Sequence, residues 1–241
     1  WCIALIDMIT KSISGLDWDR IDVEINEQGF ALTPPIIPPD LCAGLVGMYE
    51  DDKLFRKRII MERHQFGSGD YSYFADPLPA LVQSIRSALY THLAPIANRL
   101  NEGMRSDVRF PPTLDEFRAE CSAAGQSQPT SLVLRYGAGG YNRLHRDLYG
   151  EISFPLQGTV MLNRPGQDFH GGQFLLVENR PRQQAIGSAV DIPFGALIIF
   201  ATNERPVPGA RTTFRASMRH GVSKVTAGQR YTLGIIFHDA A

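Results

Sequence analysis

Cysteine is scarce: Cys2, Cys42 and Cys121 are odd in number, far apart and without a C-x-x-C pair. That excludes a disulfide framework and a zinc ribbon, and it fits a reducing compartment. Long apolar runs are missing as well. No stretch approaches the roughly 20 apolar residues of a membrane span, so no membrane association is expected. The opening Trp1-Cys2-Ile3-Ala4-Leu5-Ile6-Asp7 has neither Met nor a basic leader, which points to a trimmed or renumbered chain without a secretory signal. There is no N-x-S/T sequon, and a cytoplasmic location is expected. G-x-S-x-G, H-E-x-x-H and G-x-x-x-x-G-K-[ST] are absent too, and Gly137-x-Gly139-Gly140 lacks the third glycine of a dinucleotide loop. Hydrolase, zincin and nucleotide-binding readings therefore find no support.

Net charge is almost absent, with 24 basic against 25 acidic residues in 241, which argues against a polybasic binder. The balance conceals an asymmetry. Residues 1–130 carry 12 basic and 18 acidic side chains, whereas residues 131–241 carry 12 and 7, and 11 of those 12 cations are Arg. The planar guanidinium fork suits carboxylate or phosphate, so the C-terminal half is expected to handle anions.

The first half reads as helix and loop. Asp40 caps a helix carrying Leu41, Leu45, Met48 and Tyr49. A second helix runs from Pro77 to about Leu100 and is kinked or divided at Pro95. The capping-box pattern Thr113 to Glu116 opens a third, over about 114–124, that stops at Gly125. From Ser131 short β-type runs follow one another: Leu132–Tyr136, Leu144–Tyr149, Thr159–Leu162, Gln173–Glu178, Ala196–Ala201, Thr213–Met218 and Arg230–Phe237. The expected fold class is α+β, mainly β: a double-stranded β-helix (jelly roll) over 131–241, with residues 1–130 as a helical support packed on it in one domain.

Of six histidines, only His145 has a carboxylate two positions on, at Asp147. On a strand the two side chains would face the same way, into the barrel. Buried together, they need a proton, an ionic partner or a metal. His170 reads as a loop residue and His238 as a surface residue near the chain end. His220, which ends a β-type run before Gly221, is the imidazole a jelly roll could bring opposite His145. Two imidazoles and one carboxylate leave coordination positions open and suit non-haem Fe(II). In Arg230–Phe237, alternation directs Arg230 and Thr232 inward and Tyr231, Leu233, Ile235 and Phe237 toward the helices. A buried Arg230 needs an anion, either a ligand carboxylate or an internal Asp or Glu.

His145-x-Asp147, His220 and Arg230-x-Thr232 together resemble the Fe(II)/2-oxoglutarate-dependent dioxygenases. Tyr136-x-x-Gly139-x-Tyr141, Gly171-Gly172, Gly195 to Phe200 and His220-Gly221-Val222 are similar to the prolyl 4-hydroxylase-like branch. Prolyl 4-hydroxylases usually have Lys where this chain has Arg230. The fuller string Asn142 to Gly150, with Phe154-Pro155-Leu156-Gln157, Arg180-Pro181-Arg182 and Tyr71-x-Tyr73-Phe74, is similar to a bacterial and fungal oxygenase family predicted to act in oxidative demethylation of damaged nucleic acid. The second late-strand Arg of the alkylation-repair dioxygenases would fall at Ile236, so that signature is missing.

The resemblance implies Fe(II) held by His145, Asp147 and His220, with O2 and 2-oxoglutarate as cosubstrates and the distal carboxylate on Arg230, Thr232 and Tyr136. It implies decarboxylation coupled to C–H hydroxylation. Arg143, Arg180, Arg182, Arg215 and Arg219 are candidate contacts for an anionic substrate such as alkylated DNA or RNA, with Tyr141, Tyr149 and Phe169 as stacking candidates. The alternatives are a hydroxylase of prolyl peptide or of a small metabolite and, in another class, a non-catalytic jelly-roll binding module.

Overall fold

The apolar spacing that predicts the long helix produces the longest element of the protein. In a computed structural model that describes residues 2–209 and 212–241, it spans Ala80–Gly103. The helices are α1 (Cys2–Ser14), α2 (Trp18–Gln28), α3 (Pro39–Met48), α4 (Ala80–Gly103) and α5 (Leu114–Ala123). Pro95 lies inside α4 and does not divide it. Its ring is exposed while Leu93, Ala94, Ile96 and Ala97 are buried, so packing carries the helix past the missing hydrogen bond. In α3 the cap is Pro38, with no side-chain hydrogen bond, and Asp40 sits in the first turn instead. The capping box of α5 forms as expected, and Gly125 takes up the left-handed φ of +80° just beyond it.

Strands run throughout the chain. They are β1 (Phe30–Leu32), β2 (Phe55–Ile60), β3 (Gly67–Ser68), β4 (Asp70–Phe74), β5 (Leu132–Tyr136), β6 (Tyr141–His145), β7 (Leu156–Met161) and β8 (Phe169–Gly171). Then follow β9 (Phe174–Asn179), β10 (Ile186–Val190), β11 (Leu197–Ala201), β12 (Glu204–Pro208), β13 (Thr213–Val222), β14 (Val225–Gly228) and β15 (Arg230–Ile235). The major sheet has the order β1-β11-β7-β15-β5-β4-β2. The minor sheet has the order β10-β9-β13-β6-β3, with β12 on β13, and all its pairs are antiparallel. This is a jelly roll, α+β and mainly β. Residues 1–130 supply more than helices, since β1, β2 and β4 extend the major sheet at both edges. Tyr71 and Tyr73 of β4 come level with Leu134 and Leu132 of β5.

The two faces of β15 have opposite tasks. Tyr231, Leu233 and Ile235 are buried in the core shared with the helices, where Tyr49 meets Tyr231 edge-on. Arg230, Thr232, Gly234 and the following Ile236 line the barrel interior. The helical layer also fixes the end of this strand. From α4, Arg86 donates to the carbonyls of Ile236 (2.9 Å) and Phe237 (2.6 Å) and pairs with Asp239 at 2.6 Å. His238 is fully buried rather than at the surface, and its Nδ1 accepts the Phe154 N–H (3.2 Å). It lies on the stretch that Arg86 ties down, so the chain end is part of the core.

Candidate active site

Strand pairing brings the two imidazoles together. His145 closes β6 and His220 lies directly opposite it on β13, with ring centroids 4.3 Å apart. The ladder is irregular between His220 and Val222. Gly221 permits the close approach, because a Cβ there would stand 2.7 Å from the Asn142 carbonyl oxygen. Asp147 arrives by a different route from the one expected. The strand ends at His145, and residues 146–149 form an irregular segment. Arg146 ties that segment to β13 through its Nε and the Met218 carbonyl (3.1 Å). Strand alternation therefore does not place Asp147; the loop does.

Asp147 Oδ1 lies 3.4 Å from His145 Nε2, and its Oδ2 lies 3.3 Å from His220 Nε2. The three ligand atoms are all within 4.8 Å of one another. Two donors bound at right angles to one metal at about 2.1 Å stand about 3 Å apart, so the set fits a divalent ion after small adjustments. The rings are oriented for this. His145 Nδ1 donates to the Arg143 carbonyl (2.7 Å), which leaves Nε2 free to face Asp147. His220 is 7% exposed and wedged between Phe174, stacked at 5.8 Å, and Phe200 at 4.8 Å. Tyr149 donates to Asp147 Oδ1 (2.8 Å), and Tyr73 donates to Tyr149 (3.1 Å).

Electrostatics follow from burial and this contact set. Burial works to raise the Asp147 carboxyl, yet hydrogen bonds from both imidazoles hold it well below the usual carboxylate range. Burial opposes charge on His145 too, and the Asp147 carboxylate outweighs it, so this imidazole lies above its ordinary value. The deeper His220 is pushed down by burial.

Farther along the barrel stands Arg230, 1% exposed, with all three guanidinium nitrogens unpartnered. No internal Asp or Glu meets it among the described residues; the ring faces of Tyr136 (5.5 Å) and Phe169 (6.0 Å) do. Burial lowers Arg230 to about 10 and raises the Tyr136 hydroxyl, itself unpartnered, to about 12. A buried cation beside an unpaired hydroxyl is suited to an anion, and Thr232 lines the same wall. Gly172, at φ +66°, lets the chain pass over Arg230, because a Cβ there would meet Arg230 Cδ at 2.9 Å. The imidazoles, Asp147 and Arg230 all open on one pocket of about 390 Å³.

The other candidates divide. Arg143 is exposed and lines the pocket, and Tyr149 lines it while committed to Asp147. Tyr141, Arg180, Arg182 and Arg219 do not line it. Arg180 pairs with Glu178 and Arg215 with Glu204, while Phe169 is buried under Arg230 and cannot stack an incoming base. Phe66, 47% exposed at the rim, Arg146 and Gln157 were not singled out from the sequence. Phe66 reaches the rim because Arg143 N–H donates to its carbonyl (2.8 Å). The β3–β6 pairing continues this link, and no local pattern announces it.

A family described as "Oxygenase, catalysing oxidative methylation of damaged DNA" matches residues 69–240. An uncharacterized protein of Mycobacterium tuberculosis is 44% identical over 170 residues, covering 70% of this chain and 73% of the relative. Among solved structures, a Pseudomonas putida prolyl-4-hydroxylase superposes with a TM-score of 0.54 at 13% identity, covering 93% of this chain and all of the other. An oxidoreductase of the 2OG-Fe(II) oxygenase family from Burkholderia pseudomallei gives 0.55 at 13% identity, with 93% of each chain covered. The chain belongs to this oxygenase family, and its fold is that of the 2OG-Fe(II) oxygenase and prolyl-4-hydroxylase structures on which it superposes.

Proposed function

We propose that this oxygenase removes methyl groups from alkylated nucleic acid, with Fe(II) on His145, Asp147 and His220 and the distal carboxylate of 2-oxoglutarate on Arg230, Thr232 and Tyr136. One observation carries the assignment of roles: an open three-donor set and an unpartnered buried guanidinium share a single pocket. When bound, the iron and its cosubstrates supply the oxidising power, converting 2-oxoglutarate and O2 to succinate and CO2 while one oxygen atom enters a substrate C–H bond. The protein supplies geometry. Arg230 and Tyr136 clamp the far carboxylate, and the barrel excludes water around them. The Arg143 carbonyl holds the proton on His145 Nδ1, and Tyr149 fixes the Asp147 carboxylate.

Hydroxylation of an N-methyl carbon gives a hemiaminal that loses formaldehyde, so the net change is demethylation. At the mouth, Arg143 and Arg146 are exposed and without a carboxylate partner among the described residues. Beside them stands the half-exposed Phe66, one face of its ring stacked on His64 at 5.3 Å, and together these groups suit phosphate and base. The test incubates the protein with Fe(II), 2-oxoglutarate and N-methylated DNA or RNA oligonucleotides, and in parallel with proline-rich peptides. Formaldehyde is expected from the oligonucleotides. A mass gain of one oxygen on the peptides, with no formaldehyde, would replace this reading with peptide hydroxylation.

A further inference from the structure

Six buried side-chain nitrogen or oxygen atoms lining the pocket have no partner among the described residues: three on Arg230, and Tyr136 Oη, His220 Nδ1 and Gln157 Nε2. Arg230 and Tyr136 face the proposed cosubstrate carboxylate. His220 presents its other nitrogen to Asp147. Gln157 serves neither purpose. It is 2% exposed, and its Nε2 is withdrawn from water with no partner among the described residues, which is destabilising unless a ligand completes it.

Its place in the barrel says which ligand. Gln157 lies on β7 opposite Phe200 of β11, whose ring touches His220. On its other side β15 runs in register, Ile235 opposite Gly158, so Ile236 comes level with Gln157. Six residues, about 20 Å of strand, separate that level from Arg230. The amide thus stands on the metal-side wall, at the end opposite the proposed carboxylate anchor, among Leu132, Ile236 and Phe200. In apolar surroundings a lone directional donor discriminates strongly between ligands that can and cannot pair with it.

We propose that Gln157 is the specificity residue for the primary substrate. Its carboxamide N–H donates to a carbonyl oxygen flanking the methylated ring nitrogen, so bases such as 3-methylthymine are preferred over 1-methyladenine, which has no carbonyl. This rests on the nucleic-acid reading above.

The experiment compares wild type with the near-isosteric Gln157→Met in two arms. Without substrate, thermal unfolding and titration of 2-oxoglutarate into the Mn(II)-loaded protein are measured. Gln157→Met is expected to keep its Tm or gain up to about 4 °C, because an unpaired donor disappears, and to bind 2-oxoglutarate within twofold of wild type. A fall in Tm of that size would make Gln157 a packing residue, and a tenfold weaker cosubstrate would make it a 2-oxoglutarate contact; either overturns the proposal. In the second arm, single-stranded oligonucleotides carry one 3-methylthymine or one 1-methyladenine and formaldehyde is scored. Wild type is expected to favour 3-methylthymine at least tenfold in kcat/KM, and Gln157→Met to bring the two within threefold. Product from both at equal rates in wild type, or a ratio that Gln157→Met leaves unchanged, overturns the Gln157 assignment alone. No formaldehyde from either base overturns the nucleic-acid reading and the base assignment with it.

Discussion

Arg86 and Arg230 are equally withdrawn from water, at 0% and 1% exposure, and they stand at opposite ends of the same strand: Arg230 opens β15 and Arg86 ties down the carbonyls just beyond its close. Arg86 meets acceptors at Nε and Nη2, two carbonyls and the Asp239 carboxylate, and only its Nη1 lacks a partner among the described residues. Arg230 meets ring faces and no acceptor. A buried cation that the fold has paired is part of its stability, whereas one left unpaired is tolerated for a ligand that has yet to arrive. The same contrast separates the core face of β15 from its pocket face. Substitutions on the core face should cost folding and spare binding; those on the pocket face should do the reverse.

The largest effect belongs to the pocket face. Asp147→Ala should lower succinate formation by at least about a thousandfold, because the metal loses its only anionic protein donor, while Tm shifts by no more than about 2 °C. Turnover above a tenth of wild type would remove Asp147 from the metal set. On the core face, Arg86→Met leaves Asp239 buried with Arg118 as its remaining partner at 3.0 Å. Stability should fall by about 3–5 kcal/mol, measured by urea unfolding, with 2-oxoglutarate affinity unchanged. If instead affinity fell and stability held, the two faces would not be separable. Arg230→Met completes the comparison. It should weaken 2-oxoglutarate roughly a hundredfold in a titration and leave the stability of the free protein equal or higher, since no internal partner is orphaned.

pH should divide the faces as well. Burial pushes His238 down to about 4, and its Nδ1 must stay unprotonated to accept the Phe154 N–H. Above about pH 6.5 the histidine is neutral in both folded and unfolded chains. As pH falls from there to about 4 the unfolded chain takes up a proton that the folded one refuses, so stability is lost across that window, by about 3 kcal/mol in all. His238→Phe should flatten the loss. A stability curve equally steep in the variant would place the acid sensitivity elsewhere.

Much of this division is legible in the sequence, for an identifiable reason. Period-two alternation in Arg230–Phe237 separates pocket from core residues without any knowledge of the partner strands, and both faces appear as expected. His220 opposite His145 follows from strand order in a jelly roll. What escapes is whatever depends on irregular backbone or distant pairing. Asp147 sits in a loop rather than on the strand, β4 is drawn into the sheet by β5, and Phe66 reaches the rim through a two-residue strand. His238 looked terminal because sequence position says nothing of burial; Arg86, 152 residues earlier, holds the chain end in the core. The unpartnered state of Arg230 is likewise invisible in sequence, since any of seven acids in the second half could have paired with it.

The smallest expected effect tests whether the pocket face is organised beyond the residues that would touch the metal. Tyr149 donates to Asp147 Oδ1 and is itself held by Tyr73, so the carboxylate enters the site already oriented. Tyr149→Phe removes that one hydroxyl and keeps the ring packed near His238 and Tyr73. Loss of such an outer hydrogen bond costs about tenfold to a hundredfold in metal affinity, and the lower figure is expected here because Arg146 also anchors the loop that carries Asp147. A Co(II) titration followed in the visible ligand-field bands reports affinity and donor geometry together. Tyr73→Phe should follow in the same direction with a smaller loss, because it acts through Tyr149. Unchanged affinity and bands in Tyr149→Phe would mean that the loop, anchored by Arg146 on β13, orients Asp147 by itself.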